Sequence, residues 1–91
     1  MMLDIDRFKR VNDHHGHAAG DAVLTEVAAR MRSNLRSMDL LARVGGEEFL
    51  VAMPDTDISN ARLAAERLRQ AIEKTPISVK SGSSPIHVTL S

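Results

Sequence analysis

The chain has no cysteine, no tryptophan and no tyrosine, and Phe8 and Phe49 are its only phenylalanines. Without cysteine it can form neither a disulfide nor a thiolate metal site, which fits a reducing compartment. Its charge has no bias either, since 12 Lys and Arg residues balance 12 Asp and Glu residues. The net charge therefore predicts neither nucleic acid nor a membrane surface as a partner. No apolar run is long enough to cross a bilayer, and the N-terminus lacks a signal-peptide pattern.

The composition that remains is typical of a soluble globular protein. Hydrophobic residues make up 43% of the 91 residues and charged residues 26%, and this length allows one small domain with a thin core. Both ends fall within strand-like segments, Met1–Asp4 and Ile86–Ser91, whereas chain ends usually lie in polar segments. We therefore expect an incomplete domain; a complete small domain with a strand at each end is the alternative.

The spacing of apolar residues predicts both strands and helices. After a strand that ends near Asp4, Asp6 is expected to cap a helix over about residues 7–14, and Gly16 to end it. Gly20 is expected to let another element pack closely against the second helix. The further predicted elements are a helix from residue 18 or 19 to 34, strands over 40–44 and 49–53, a helix capped by Ser59 and ending near residue 74, a strand over 76–80, a turn over 81–85 and a strand over 86–91. This order predicts an α+β fold, a mainly antiparallel sheet with helices packed on it, including the βαββαβ order of ferredoxin-like and palm-type folds.

The segment Gly45-Gly46-Glu47-Glu48-Phe49 separates two apolar runs and is typical of a β-hairpin whose turn carries adjacent carboxylates. The glycines are expected to accept positive φ angles and to let a phosphate or metal ion approach the backbone. Two carboxylates beside such a surface suit cation binding or proton abstraction. On this segment alone, a plain turn with solvated glutamates is an equal alternative.

Asp4-Ile5-Asp6 places two carboxylates at the end of the first predicted strand. If Asp6 caps a helix, Asp4 is the better candidate metal ligand. Asp4 and Glu47 would converge if their strands are neighbours, and such hard oxygen ligands suit Mg²⁺ or Mn²⁺. Alone, Asp4 is equally well interpreted as a surface aspartate near a helix start.

Taken together, these residues resemble a known family. The series Asp4-Ile5-Asp6-x-Phe8-Lys9-x-x-Asn12-Asp13-x-x-Gly16-His17-x-x-Gly20-Asp21, followed by Arg43-x-Gly45-Gly46-Glu47-Glu48-Phe49, closely resembles the GGDEF-domain diguanylate cyclases over nearly the whole chain. Glutamate at position 47 is a common active variant in that family, which then reads GGEEF. The resemblance implies a partial GGDEF domain over residues 1–91, without part of the first strand and without the C-terminal portion.

The resemblance implies that two GTP molecules condense to cyclic di-GMP and release two pyrophosphates. The enzyme would work as a cytoplasmic homodimer, with no nucleic-acid partner and no membrane contact in this segment. Mg²⁺ or Mn²⁺ would be held by the carboxylates of Asp4 and Glu47 and by the backbone carbonyl of Ile5. Glu47 would also be the catalytic base, and Lys9 would neutralise charge that develops on the phosphates.

The resemblance also implies a guanine site at Asn12 and Asp21. A carboxylate can accept two N–H bonds from the Watson–Crick edge of guanine, which adenine cannot offer. The remaining residues assigned to the substrate site are Phe8, Gly45 and Gly46, with Glu48 and His17 in supporting places. Phe8 and Phe49 are expected to pack rather than to stack on a base.

Arg36-Ser37-Met38-Asp39 resembles the inhibitory RxxD site of the family, where cyclic di-GMP binds as product. Arginine presents a planar fork to phosphate and to guanine, and Asp39 could accept guanine protons. Arg67 on the third predicted helix resembles a secondary contact for the same ligand. Without the family context, Arg36 and Asp39 would be interpreted as a solvated helix end.

Other functions are weighed against this one. A module that binds GTP or cyclic di-GMP without catalysis, or a fragment without activity, is the first alternative. A structural zinc site at His14, His15 and His17 is disfavoured because it lacks a fourth ligand. A sheet that binds RNA would need exposed aromatic residues on its strands, and the chain has only two phenylalanines.

Overall fold

The computed structural model describes residues 1–79 and 85–91. Its elements in chain order are β1 (Met2–Asp4), α1 (Phe8–His15), α2 (His17–Ser33), β2 (Leu40–Arg43), β3 (Glu48–Ala52) and α3 (Ile58–Glu73). The predicted α+β class is confirmed, and so is the predicted order of elements through α3. Within the described ranges, no helix has the length and apolar character needed to cross a membrane.

β3 is the middle strand of a three-stranded sheet with the order β1-β3-β2, and both of its neighbours run antiparallel to it. Leu3 lies opposite Phe49, and Asp4 lies opposite Glu48. Successive side chains of a strand point to opposite faces. Leu3 and Phe49 are buried, whereas Asp4 and Glu48 are exposed on the other face.

The core lies between the inner face of the sheet and the three helices. Phe8 and Val11 of α1 are buried in it, which agrees with their helical spacing. The other buried core residues include Val23, Leu24, Val27 and Met31 of α2, Phe49 and Val51 of β3, and Leu68 and Ile72 of α3. Phe8 is 8% exposed and Phe49 is 2% exposed, so the prediction that both phenylalanines pack is confirmed.

Residues 89–91 extend the sheet along the free edge of β1. The amide of Asp4 donates to the Ser91 carbonyl at 2.9 Å, the amide of Ser91 donates to the Asp4 carbonyl at 2.9 Å, and Ile5 bridges Leu90. β1 therefore has hydrogen-bonded partners on both edges, and Asp4 lies inside the sheet rather than at its margin.

The two predicted C-terminal strands are reduced to isolated bridges. Ile77 pairs with Ile86, and the buried Ile86, Val88 and Leu90 keep the predicted alternation. Ile77 and Ile86 exchange both backbone hydrogen bonds, at 2.7 and 2.8 Å, and this is the bridge found between the two segments in the described residues. Lys80 and residues 81–84 of the predicted turn lie outside the described residues.

Both predicted helix caps are wrong. Arg7 occupies the N-cap position of α1 in a left-handed conformation, with φ 55° and ψ 34°, and provides no side-chain cap. Asp6 does not cap α1, because its carboxylate accepts hydrogen bonds from Thr89 and Ser91. α3 begins one residue before Ser59, since the side chain of Asp57 accepts from the Asn60 amide at 2.8 Å. Asp57 thus satisfies one of the unpaired amides at the helix start.

Candidate active site

The turn between β2 and β3 forms one wall of the candidate site. Val44 and Glu48 close it, since the Val44 amide donates to the Glu48 carbonyl at 2.9 Å. Neither Gly45 nor Gly46 has a positive φ, so that expectation for these glycines is wrong. An added Cβ at Gly45 would lie 2.5 Å from Oε1 of Glu48, so the Glu48 side chain folds back over the turn. A larger residue at position 45 would require this exposed side chain to move away.

Backbone hydrogen bonding places Ile5 directly beside Glu47. The Ile5 amide donates to the Glu47 carbonyl at 3.1 Å, and among the described residues no reciprocal bond runs from the Glu47 amide to the Ile5 carbonyl. The Ile5 carbonyl oxygen is left without that partner at the edge of the turn. A main-chain oxygen in this position can serve as a ligand for a cation.

Three carboxylates lie at this end of the sheet. Asp4 and Glu48 are register partners on adjacent antiparallel strands, which puts two like charges on one face at neighbouring positions. Such a pair is unfavourable unless a cation or solvent screens it. Glu47 is the next residue towards the tip of the turn and is half-buried. The predicted approach of Asp4 and the hairpin is found, with Glu48 rather than Glu47 as the residue directly across from Asp4.

The donor set fits Mg²⁺ better than a metal that needs a full protein cage. Within residues 1–79 and 85–91, no group of three or more His, Cys, Asp or Glu side chains forms a metal centre, and this holds for the three histidines near Gly16 as well. Mg²⁺ commonly takes one or two carboxylates and completes its shell with phosphate and water. The carboxylates near Ile5 and the Ile5 carbonyl are of that kind.

The second wall of the candidate site is the contact between α1 and α2. An added Cβ at Gly20 would overlap Oδ1 of Asn12 and would lie 3.3 Å from Cζ of Phe8. Gly20 is thus the place where α1 packs closely onto α2, as predicted. Asp21 follows Gly20 on α2 and is exposed, so Asn12 packs against the residue that precedes Asp21.

Gly16 is the only residue between α1 and α2. It has φ 89° and ψ 163°, and its amide donates to the Asn12 carbonyl, at 2.8 Å. A side chain with L chirality rarely adopts this φ. His17 follows as the first residue of α2 and is exposed.

α1 begins at Phe8, three residues after Ile5. Lys9 lies in the first turn of α1 and is exposed. No side chain caps α1, and its first turn holds no acidic residue. The free amides at the start of a helix and the positive end of its dipole favour an anion such as phosphate.

The Arg36–Asp39 pair lies between α2 and β2. Nη2 of Arg36 is 2.7 Å from Oδ1 of Asp39, and the Arg36 amide donates to Oδ2 at 2.7 Å. These hydrogen bonds to Arg36 lower the pKa of Asp39, and the same contact raises the pKa of Arg36. The Asp39 side chain is fully buried, whereas that of Arg36 is 44% exposed. Arg36 and Asp39 therefore form an ion pair whose cation is open to solvent.

Arg36 also contacts the loop that follows β3. Its Nη2 donates to Oγ1 of Thr56 at 2.7 Å and to the Pro54 carbonyl at 3.1 Å. Arg67 of α3 donates from Nη2 to the Asn34 carbonyl at 3.0 Å. Arg67 thus contacts the first residue of the short segment 34–39 that joins α2 to β2, and its charge also lowers the pKa of Asp39.

Sequence reasoning missed Thr56, Thr89 and Ser91 as partners of candidate site residues. Thr56 follows Pro54-Asp55, between the predicted strand over 49–53 and the predicted third helix. Thr89 and Ser91 were interpreted only as strand residues. The one available signal was the hydroxyl side chains at alternate positions of the last segment, which places both on one face of a strand.

Comparisons with known proteins agree with this geometry. The family described as "Diguanylate cyclase, GGDEF domain" matches residues 1–91. The response regulator PleD of Caulobacter vibrioides is 47% identical over 91 residues, which are 100% of this chain and 20% of PleD. The chain thus spans about a fifth of the length of that relative.

Two solved structures have the same fold. The diguanylate cyclase SiaD of Pseudomonas aeruginosa, solved with its activator SiaC, has a TM-score of 0.91 at 46% identity, over 99% of this chain and 34% of that one. The GGDEF domain of DgcB from Caulobacter crescentus, solved in complex with c-di-GMP, has a TM-score of 0.91 at 32% identity, over 99% of this chain and 53% of that one. The match over every residue, together with the carboxylates at the hairpin turn, shows that the chain belongs to the GGDEF-domain family of diguanylate cyclases.

Proposed function

We propose that this chain contributes the catalytic centre of a diguanylate cyclase, which condenses two GTP molecules to cyclic di-GMP and releases two pyrophosphates. One observation above all supports this: the Ile5–Glu47 hydrogen bond brings the β1 end and the GGEEF turn together, with Asp4 across from Glu48. The reaction is inferred from the relatives named above, among them the diguanylate cyclase SiaD.

In this proposal Asp4, Glu47 and the Ile5 carbonyl hold Mg²⁺ or Mn²⁺. The metal, when bound, would lower the pKa of the attacking hydroxyl and offset charge on the α-phosphate. Glu47 accepts the proton of the 3′-hydroxyl as general base. Glu48, folded over Gly45, supports the same face of the turn.

Substrate binding is divided between the two helices that follow β1. Lys9 and the uncapped start of α1 face the phosphates, where positive charge stabilises the transition state. Asn12 and Asp21 read guanine through its Watson–Crick edge. The close packing of Asn12 and Phe8 against Gly20 sets the distance between Asn12 and Asp21.

The product needs two bound GTP molecules, and each copy of the chain has one such site. We therefore propose that turnover occurs in a homodimer in which two sites face one another, in the cytoplasm where GTP is supplied. Phosphoryl-type transfer depends on in-line positioning of the reactants. The specific activity, the rate per mole of protein, should accordingly rise with protein concentration.

Product inhibition is proposed at Arg36 and Asp39, with Arg67 as a second contact. The Arg36 guanidinium is already aligned by Asp39 and Thr56 and is open to solvent. Because Asp39 occupies the Nε and Nη2 side of the guanidinium, a phosphate or the guanine edge would bind on its Nη1 side, with little loss of side-chain entropy. Arg36→Ala should abolish product inhibition and leave the initial rate largely intact.

The deciding experiment uses the protein at its full natural length with GTP and Mg²⁺. Formation of cyclic di-GMP that is lost in Glu47→Gln supports the proposal, and calorimetry with GTP shows whether the variant still binds substrate. No product at protein concentrations that give dimers would refute the cyclase proposal. GTP binding without turnover would instead favour a non-catalytic binding module.

A further inference from the structure

The carboxylate of Asp6 lies between the β1–α1 turn and the far end of the chain. Its Oδ2 atom accepts from Oγ1 of Thr89 at 2.7 Å and from Oγ of Ser91 at 2.8 Å. The Asp6 amide also donates to the Thr89 carbonyl, at 2.9 Å.

The Asp6 carboxylate does not cap α1, although its place in the sequence predicts that role. Asp6 stands just before the N-cap position of α1, and an aspartate there would ordinarily bond to helix amides. Instead Arg7 takes a left-handed conformation, and Asp6 is bonded to Thr89 and Ser91. The Arg10 amide donates to the Arg7 carbonyl at 3.0 Å, and the two earlier amides of α1, those of Phe8 and Lys9, are left for another acceptor.

Asp6 is also next in sequence to the residue that meets the GGEEF turn. Ile5 donates to Glu47 on one side of the strand, and Asp6 is bonded to Thr89 on the other. The path of the chain from Ile5 to Lys9 is therefore fixed from both sides. Loss of the hydroxyl bonds to Asp6 weakens the attachment of this segment to Thr89 and Ser91. The buried side chain of Phe8 still holds α1 to the core.

We propose that Asp6 is a positioning residue: through Thr89 and Ser91 it fixes the β1–α1 turn, and so holds the Ile5 carbonyl and Lys9 in the geometry that the condensation of GTP requires. The proposal rests on the proposed cyclase function. Asp6 contacts neither substrate nor metal in this role. The alternative is that the charged Asp6 carboxylate binds the metal directly. In that role Asp6→Asn should lose as much kcat as Asp6→Ala.

The contrast between Asp6→Asn and Asp6→Ala separates the two roles. Both hydroxyls bond to one oxygen of Asp6, and the single side-chain oxygen of asparagine can accept both. Asp6→Asn should keep kcat within about threefold of wild type, because neutral hydrogen bonds have roughly half the strength of charge-assisted ones. Asp6→Ala should lower kcat by about 10²-fold, the cost of a small misplacement of reacting groups, and should change KM for GTP much less.

The hydroxyl partners provide an independent route to the same result. Thr89→Val and Ser91→Ala each remove one donor, and the double variant should resemble Asp6→Ala. Combined with Asp6→Ala, the double variant should cause little further loss, since residues of one hydrogen-bond network are not additive. Ser33→Ala is the matched control, because the Ser33 hydroxyl bonds only within α2, to the Ala29 carbonyl.

Initial rates of cyclic di-GMP formation are measured on the protein at full natural length, with circular dichroism to show that each variant is folded. Equal loss of kcat in Asp6→Asn and Asp6→Ala would overturn the positioning role, and so would full activity of a folded Asp6→Ala. If Asp6→Ala does not fold, Thr89→Val and Ser91→Ala decide: unchanged kcat in both overturns the proposal. An inactive wild type would overturn the cyclase function itself, and the role of Asp6 in it.

Discussion

The amide nitrogen of Ile5 lies 3.1 Å from the carbonyl oxygen of Glu47 and donates a hydrogen bond to it. This bond joins the end of β1 to the GGEEF turn through main-chain atoms alone. The relative position of the two segments therefore survives changes in the side chains that do the chemistry. For this reason Glu47→Gln should be a clean test of the carboxylate, with little effect on folding.

Gly20→Ala should destabilise the protein, although alanine is the better helix former by about 1 kcal/mol. The new Cβ would overlap Oδ1 of Asn12 and would approach Cζ of Phe8 at 3.3 Å, and overpacking of this kind costs about 1–3 kcal/mol. Because Asn12 must move, we also expect a higher KM for GTP. Chemical denaturation and steady-state kinetics measure the two effects.

Ala29→Gly is the control for Gly20→Ala, since Ala29 is exposed on the same helix. It should lose stability through helix propensity alone and leave KM unchanged. Higher stability in Gly20→Ala than in wild type would contradict the close packing of α1 on α2.

Asp57→Ala should lower the free energy of unfolding by about 0.5–2 kcal/mol. The Asp57 side chain accepts from the Asn60 amide at 2.8 Å, and its loss leaves that amide at the start of α3 without a protein partner. Urea denaturation measures the change. Ser59→Ala, one residue inside the helix, should be close to neutral, and the reverse order of the two effects would show that Ser59 is the cap.

Arg30→Met should destabilise the packing of α2 against the end of α3. The Arg30 guanidinium donates to the carbonyls of Thr75 at 2.6 Å and Pro76 at 3.3 Å. Its Nε also donates to Oε2 of Glu26 at 2.8 Å, which orients the side chain. We expect a loss of about 1–3 kcal/mol, typical of hydrogen bonds to a charged group. Arg32→Met, exposed on the same helix, should change thermal stability much less, and equal losses in both would argue against the bridge.

Arg36→Ala should make the protein unfold at a higher pH during acid titration. Arg36 lowers the pKa of Asp39 in the folded state, so this carboxylate stabilises the fold above its ordinary pKa of about 3.9 and loses that contribution as the pH falls through its folded value. Without Arg36, the pKa of Asp39 should rise, as carbon-detected NMR titration can record.

Arg67→Ala is the comparison for that titration, because Arg67 lowers the pKa of Asp39 only through its charge and less than Arg36 does. It should produce a smaller rise. An unchanged pKa of Asp39 in Arg36→Ala would mean that the ion pair is not formed in solution.

The sequence was sufficient wherever a local pattern fixes the structure. The spacing of Leu24, Val27 and Met31 predicts the buried face of α2, and Gly20 predicts a close contact without naming its partner. The cap of α3 was misassigned because Asp57 and Ser59 are both good capping residues two positions apart, and local rules rank them equally.

Partners that are distant in the chain could not be predicted. Asp6 was expected to cap α1, because nothing in its neighbourhood announces hydroxyls at Thr89 and Ser91. The same holds for Thr56, which bonds to Arg36 only because β3 returns the chain to that place. For the candidate site, the sequence and its resemblance supplied the residue types, and the fold supplied the register that places Asp4 across from Glu48.

The single glycine between α1 and α2 has a consequence for how base specificity could evolve. Asn12 lies on α1 and Asp21 on α2, and a single residue, Gly16 with φ 89°, joins the two helices. A rotation of one helix would change the angle between Asn12 and Asp21, which we propose to bind guanine, without altering either helix. If that proposal holds, selection for a different purine could act first on the residues packed around Gly20, and only later on Asn12 and Asp21.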